Sequence, residues 1–221
     1  MKYLLYFLLL LCFGCKKDNK PKVEIYLLKH VINSFEGQAV VETDIYKALP
    51  DSVKKRSDLV ALEQSQYSAI DTQFIYGGDY NVKLSDLKIE PFITDDEILS
   101  FDTENNKLVF DSIAANRIYQ LEPNMIKGVQ FVITVDKKPV LNGYFWSLHS
   151  SYSCNSYCIY YISPKYFEEF GNERFLDKSK DKERSFEIFY NLNSRLSVKK
   201  QRPPYPPKLL EALRQTNRLI E

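Results

Sequence analysis

The side chains best suited to chemistry crowd into one stretch. His149 stands among Ser147, Ser150, Ser151, Ser153, Cys154, Ser156 and Cys158. A hydroxyl or thiol beside an imidazole is the pairing of acyl transfer, because the nucleophile needs a base to take its proton. No Gly-x-Ser-x-Gly elbow accompanies it, and neighbours in sequence seldom meet in the geometry a triad requires. The competing reading is a Ser- and Tyr-rich connection between two strands. His30, the other of two histidines, follows a strand and reads as a partly exposed polar residue.

Cys154 and Cys158 form a C-x3-C pair. In extended chain their Cα atoms would stand about 13 Å apart, whereas a disulfide needs less than about 7 Å. A bond between them therefore demands that Asn155-Ser156-Tyr157 turn tightly. Free thiols, and a zinc site with His149 as third ligand, are the competing readings. Thr94 followed by Asp95, Asp96 and Glu97 offers carboxylates for a metal or for paired acid-base work. The same residues suit a helix start, where the dipole favours acids. Neither the spacing of a calcium loop nor a phosphate-cradling glycine loop is present. The residues assign no metal, cofactor or catalytic group.

A chain of 221 residues with 44% hydrophobic and 27% charged side chains supports a packed domain. Thirty Lys+Arg against 29 Asp+Glu leave a formal charge of +1, so no overall field draws it to nucleic acid. The run Lys199-Lys200-Gln201-Arg202 reads as a solvated linker. Strands are expected over 23–28, 80–89, 107–110 and 158–162, and a β-hairpin over 129–146. Helices are expected over 44–48, 58–66, 111–121, 165–170 and 208–220, with the acidic turn at 95–97 opening another. Pro203-Pro204-Tyr205-Pro206-Pro207 reads as a stiff spacer. The fold class is α+β, a mainly antiparallel sheet with a few packed helices. Among 16 Tyr and 14 Phe, the set Tyr144, Phe145, Trp146, Tyr152 and Tyr157 offers contact area at low entropic cost and, with His149, is the expected interaction surface; alternate members would otherwise be core.

The N-terminus carries an address. Lys2 precedes an apolar run from Tyr3 to Phe13, then Gly14 and Cys15, which is a secretory leader in pattern. The run is short of the roughly 20 residues that cross a bilayer. Leu11-Cys12-Phe13-Gly14-Cys15 resembles the lipobox of bacterial lipoproteins. That resemblance implies removal of residues 1–14, acylation of Cys15, a polar tether over 15–22 and one domain over 23–221. At about 0.8 kcal/mol per buried methylene, two or three acyl chains anchor firmly. The charged stretch over 16–22, after Cys15, resembles those of Bacteroidota-type lipoproteins. The segment from Gly128 to Cys154 is similar to uncharacterised envelope lipoproteins and, more distantly, to the helix-plus-hairpin pattern of the SecD periplasmic head. The expectation is a lipid-anchored outer-membrane protein, facing periplasm or exterior, that binds an envelope protein or glycan and no nucleic acid. The rival is an envelope hydrolase using His149 with a nearby Ser or Cys.

Overall fold

A computed structural model describes residues 20–36, 38–56, 68–70, 73–122, 128–150, 152–161, 184–190 and 204–221. Cys15 and the leader, the helices expected at 58–66 and 165–170, and the basic run at 199–202 lie outside the described residues. Among those described, no helix is long and apolar enough to cross a membrane.

Strand β1 (Val23–Leu27) is followed by β2 (Gln38–Ala39), two single-turn helices, α1 (Asp44–Lys47) and α2 (Asp51–Lys54), and then β3 (Ser68–Ile70) and β4 (Gln73–Ile75). β2, β3 and β4 form a small antiparallel sheet. The chain continues through β5 (Ile98–Asp102), β6 (Lys107–Phe110), α3 (Ser112–Tyr119), β7 (Val129–Val135), β8 (Lys138–Ser147), β9 (Tyr157–Tyr161) and β10 (Ser185–Tyr190). It closes with α4 (Pro207–Gln215) and β11 (Leu219–Ile220).

The main sheet has eight strands in the order β1-β7-β8-β9-β10-β6-β5-β11. The architecture is α+β as expected, but the sheet is mixed rather than mainly antiparallel. β8 and β9 run parallel, Gly143 opposite Tyr157 through Ser147 opposite Tyr161, and β11 runs parallel to β5. β9 begins with Tyr157 level with Gly143 of β8, and α4 precedes β11.

The hairpin is β7 and β8. Its turn is Asp136-Lys137, with φ of +51° and +61°, the doubly left-handed turn whose twist matches that of the strands. Pro139, which has no N–H to donate, sits where the register shifts opposite Thr134. Helix α3 starts as expected at Asp111, whose Oδ1 accepts the Ala114 N–H at 2.7 Å.

Other expectations change. The segment expected as a strand at 80–89 contains one 3-10 turn, Leu84–Asp86, and Asp95–Glu97 is a 3-10 turn leading into β5 rather than a longer helix. Helix α4 stops at Gln215 instead of reaching Ile220. Asn217 takes φ +57°, and the Arg218 N–H turns back to the Leu213 carbonyl at 2.8 Å, a left-handed helix ending that frees Leu219 and Ile220 to pair. The proline segment is an anchor rather than a spacer at Tyr205, which is 7% exposed. Its ring meets Phe101 edge-on at 4.7 Å, and its hydroxyl donates to Asn106 Oδ1 at 3.1 Å.

The sheet curls until its edges meet at Asp95. Oδ1 of Asp95 accepts the Val23 N–H at the head of β1 (2.7 Å) and Nη2 of Arg218 just before β11 (2.6 Å). Inside the curl, Leu209, Ala212 and Leu213 of α4 pack with Val23, Ile25, Phe101, Phe145 and Ile188. On the outer face a second cluster joins Tyr26, Tyr80, Val132, Tyr144, Trp146, Cys154 and Cys158. Because both faces are covered, Val129–Val135 is buried along nearly its whole length instead of alternating.

Candidate functional site

The turn Gly77-Gly78-Asp79-Tyr80 decides where polar side chains fall. Gly77 takes φ +53°, a left-handed conformation that glycine adopts without steric cost. A Cβ there would come within 2.9 Å of the Trp146 ring and 3.0 Å of Cys154 Sγ. The turn therefore lies directly on the outer face of the sheet. The Asn155 N–H bonds to the Tyr76 carbonyl at 2.9 Å, and the Tyr144 hydroxyl donates to the Gly78 carbonyl at 2.8 Å. Asn142 Nδ2 donates to the Tyr80 carbonyl at 2.7 Å. The Tyr80 hydroxyl lies 2.8 Å from the carbonyls of both Phe131 and Gly143, sharing one proton between them.

These contacts correct the expected interaction surface. Tyr144, Phe145 and Trp146 are 6%, 0% and 1% exposed, so they are core. Successive residues of β8 point to opposite faces, and each face has a cover. Phe145 joins the inner cluster, while Tyr144 and Trp146 join the outer one. Trp146 Nε1 donates to the Tyr152 carbonyl at 3.1 Å, and the half-buried Tyr152 ring lies 4.3 Å from that of Tyr76. Of the expected surface, Tyr157 is the member that lines a solvent-open hollow.

His149 is half-buried just beyond β8, and burial lowers its pKa from the ordinary imidazole value. The hydroxyls around it serve the turn: Ser147 Oγ accepts the His149 N–H at 3.3 Å and Ser150 Oγ accepts the Tyr152 N–H at 3.1 Å. Cys154 and Cys158 are joined as a disulfide across a Cα separation of 6.5 Å, and both are 1% exposed. In this form neither offers a thiolate to a substrate or a metal. Among the described residues no group of three or more His, Cys, Asp and Glu is placed to hold a metal ion. Thr94–Glu97 has structural partners: Glu97 accepts the Thr94 N–H at 2.8 Å and pairs with Arg117.

The tight turn closed by the disulfide delivers Tyr157 to a cleft of about 300 Å³ and Ser156 to a buried position against Asp79. Ser156 Oγ donates to Asp79 Oδ1, and the Tyr190 hydroxyl lies 3.4 Å from Oδ2. Asp79 also fastens the segment 34–36. Its carbonyl accepts Ser34 Oγ at 2.8 Å and the Phe35 N–H at 3.1 Å, and its own N–H donates to Glu36 Oε2 at 3.2 Å. The clasp holds the Phe35 ring out at the rim, 59% exposed. The Tyr157 and Tyr190 rings form the opposite wall, 4.7 Å apart and inclined at 54°. Tyr157 is fixed by donating to the Pro204 carbonyl at 2.6 Å, and Asn142 contributes an amide to the floor.

The electrostatics follow from partial burial around a carboxylate. Burial, then the Tyr190 hydroxyl and the Asp79 charge, pushes the Tyr157 hydroxyl up to about 12. Burial and the same carboxylate raise Tyr190. Both phenols stay protonated at neutral pH. Burial raises the Glu36 carboxyl, the Asp79 N–H works against that, and the Asp79 charge adds to it; the net shift is upward. Phe35, Asp79, Asn142 and Tyr190 come from separate segments, and their types carry no local signal. The exception is Gly77-Gly78-Asp79, a doublet that marks a forced turn and places an acid on it.

Comparison with family models, curated proteins and solved structures finds no match to the chain.

Proposed function

We propose that this protein is a binding module of the bacterial cell envelope, held at the outer membrane by acyl chains on Cys15, which takes its ligand in the cleft around Asp79, Tyr157 and Tyr190. The observation that carries the binding reading is the cleft itself: a solvent-open hollow of about 300 Å³, walled by aromatic rings and floored by a carboxylate and an amide. Concave sites with aromatic walls and a few convergent polar groups are where small ligands bind. The lipobox-like Leu11–Cys15 and the polar tether after it support the anchoring. The disulfide agrees with an oxidising compartment. A hydrolase built on His149 has weaker support, because the disulfide withholds both nearby thiols and the Ser147 and Ser150 hydroxyls accept backbone N–H groups.

Two measurements test the two halves. Mass analysis of the protein purified from its native membranes should find residues 1–14 gone and acyl mass on Cys15, and Cys15→Ala should move the protein to the soluble fraction. An unmodified Cys15 ends the anchoring claim. For the cleft, thermal melting against a broad small-molecule panel should find a ligand whose saturation, at a hundredfold over its Kd, stabilises by about 2.7 kcal/mol. Asp79→Asn and Tyr190→Leu should abolish that stabilisation. A panel that stabilises wild type and both variants alike places the binding elsewhere.

A further inference from the structure

Among the described residues, neither Asp79 in the cleft nor Glu36 beside it has a cationic partner. Where the sheet closes, Asp95 pairs with Arg218 at 2.6 Å and Glu97 pairs with Arg117. Among the described residues the Asp79 carboxylate receives the hydroxyls of Ser156 and Tyr190, and the Glu36 carboxylate receives the Asp79 N–H. The described lining of the cleft contains no Lys, Arg or His. A carboxylate is stabilised by opposite charge nearby, and among the described residues none is supplied to Asp79.

The aromatic walls point the same way. Ring faces carry negative potential and attract a cation lying over them. Tyr157 and Tyr190 are inclined at 54° and Tyr157 also stacks on Tyr205 at 6.2 Å, so the two rings meet as a corner rather than one flat platform. A corner embraces a round head group on two sides, whereas the flat face of a pyranose stacks on a single plane. Phe35 supplies a third face across the rim, and its 59% exposure leaves that face open to a ligand.

Resting on the reading of this cleft as the binding site, we propose that its ligand is a small organic ammonium ion, with Asp79 as counter-ion and the rings of Tyr157, Tyr190 and Phe35 enclosing the cationic head. Glu36 adds a second negative charge behind Asp79.

The test is calorimetric titration of the full-length protein in detergent with choline and with butylammonium. 3,3-Dimethyl-1-butanol serves as the neutral copy of choline, and glucose as a neutral polyol. At least one of the two cations should bind with a Kd in the millimolar range or tighter, and at least tenfold more tightly than the neutral copy. Asp79→Asn, which keeps shape and removes charge, should weaken that cation tenfold or more and leave the neutral copy unchanged. Should Asp79→Asn fail to fold, Tyr190→Leu and Glu36→Gln stand in for it: the first should lower affinity for cation and neutral copy together, the second for the cation alone. Absence of binding by both cations at 20 mM overturns the proposal, as does a neutral copy that binds equally well. Glucose binding that is lost with Tyr190→Leu would overturn the charge argument and leave the cleft as the binding site. A panel in which no cleft substitution alters any ligand removes the site as well.

Discussion

Trp146 is the side chain whose loss best tests the claim that the outer face of the sheet is a second core. It is 1% exposed, meets Tyr144 edge-on at 5.8 Å, and lies where a Cβ on Gly77 would touch its ring. Truncating a buried Trp to Ala costs about 3–5 kcal/mol, from lost transfer energy and the cavity left behind. In a domain of this size each kcal/mol moves the melting midpoint by about 2–4 °C, so Trp146→Ala should melt about 6–20 °C lower. Trp146→Phe keeps a ring in place but strands the Tyr152 carbonyl, which now accepts Nε1–H at 3.1 Å. Leaving that group unpaired should cost about 1–3 kcal/mol. Urea unfolding followed by far-ultraviolet circular dichroism is the suitable assay, because the chain has a single Trp and fluorescence would vanish with it. An Ala variant within about 0.5 kcal/mol of wild type, the usual range for surface changes, would refute the second core and return Trp146 to a contact surface.

Other substitutions probe the remaining supports. Replacing Cys154 and Cys158 together by Ala opens a loop with a sequence separation of only 4, for which chain entropy predicts a loss of about 2 kcal/mol, read from denaturation midpoints with and without reductant. A loss near 5 kcal/mol would mean that the turn bearing Ser156 and Tyr157 collapses with the bond. Arg218→Met removes the cation that joins Asp95 to the carbonyl of Ile98 (3.3 Å). Hydrogen bonds to charged groups contribute about 1.5–3 kcal/mol, and urea midpoints should fall accordingly while far-ultraviolet signal is retained. Acid should also act through His149. Its native pKa lies below the ordinary value because burial disfavours the imidazolium, so the unfolded chain binds the proton more readily. Stability contributed by the neutral ring is full above the unfolded pKa and declines as pH falls below it. His149→Asn should flatten that part of the stability-pH curve, and an unchanged slope would show that another group sets it.

How much of this could be read in the residues divides along one line. Features set by near neighbours were legible: the Asp111 cap, the hairpin over Val129–Trp146 and the strand character of Val23–Leu27 depend on local periodicity and turn chemistry. Features set by distant covers were not. Nothing in Tyr144-Phe145-Trp146 says that both faces of its strand are roofed, since that depends on where Gly77 and Cys154 come to lie. The parallel pairing of β8 with β9 depends on where Tyr157 comes to lie, level with Gly143. Helix α4 looks continuous to Ile220 by hydrophobic spacing, yet the edge of β5 offers Leu219 and Ile220 backbone partners that a helix would leave unused. The cleft belongs to the same class, for its groups converge only after the clasp between Asp79 and Ser34–Glu36 has formed.

The curl at Asp95 bears on how the chain must come into being. Leu209, Ala212 and Leu213, which fill the inside of the sheet, are encoded far downstream of the first strand they pack against, and Arg218 secures the carboxylate that also holds that strand. A nascent polypeptide that still lacks residues 207–220 has its concave wall without its filling. It cannot bury that wall until those residues emerge, and contacts this distant in sequence form slowly.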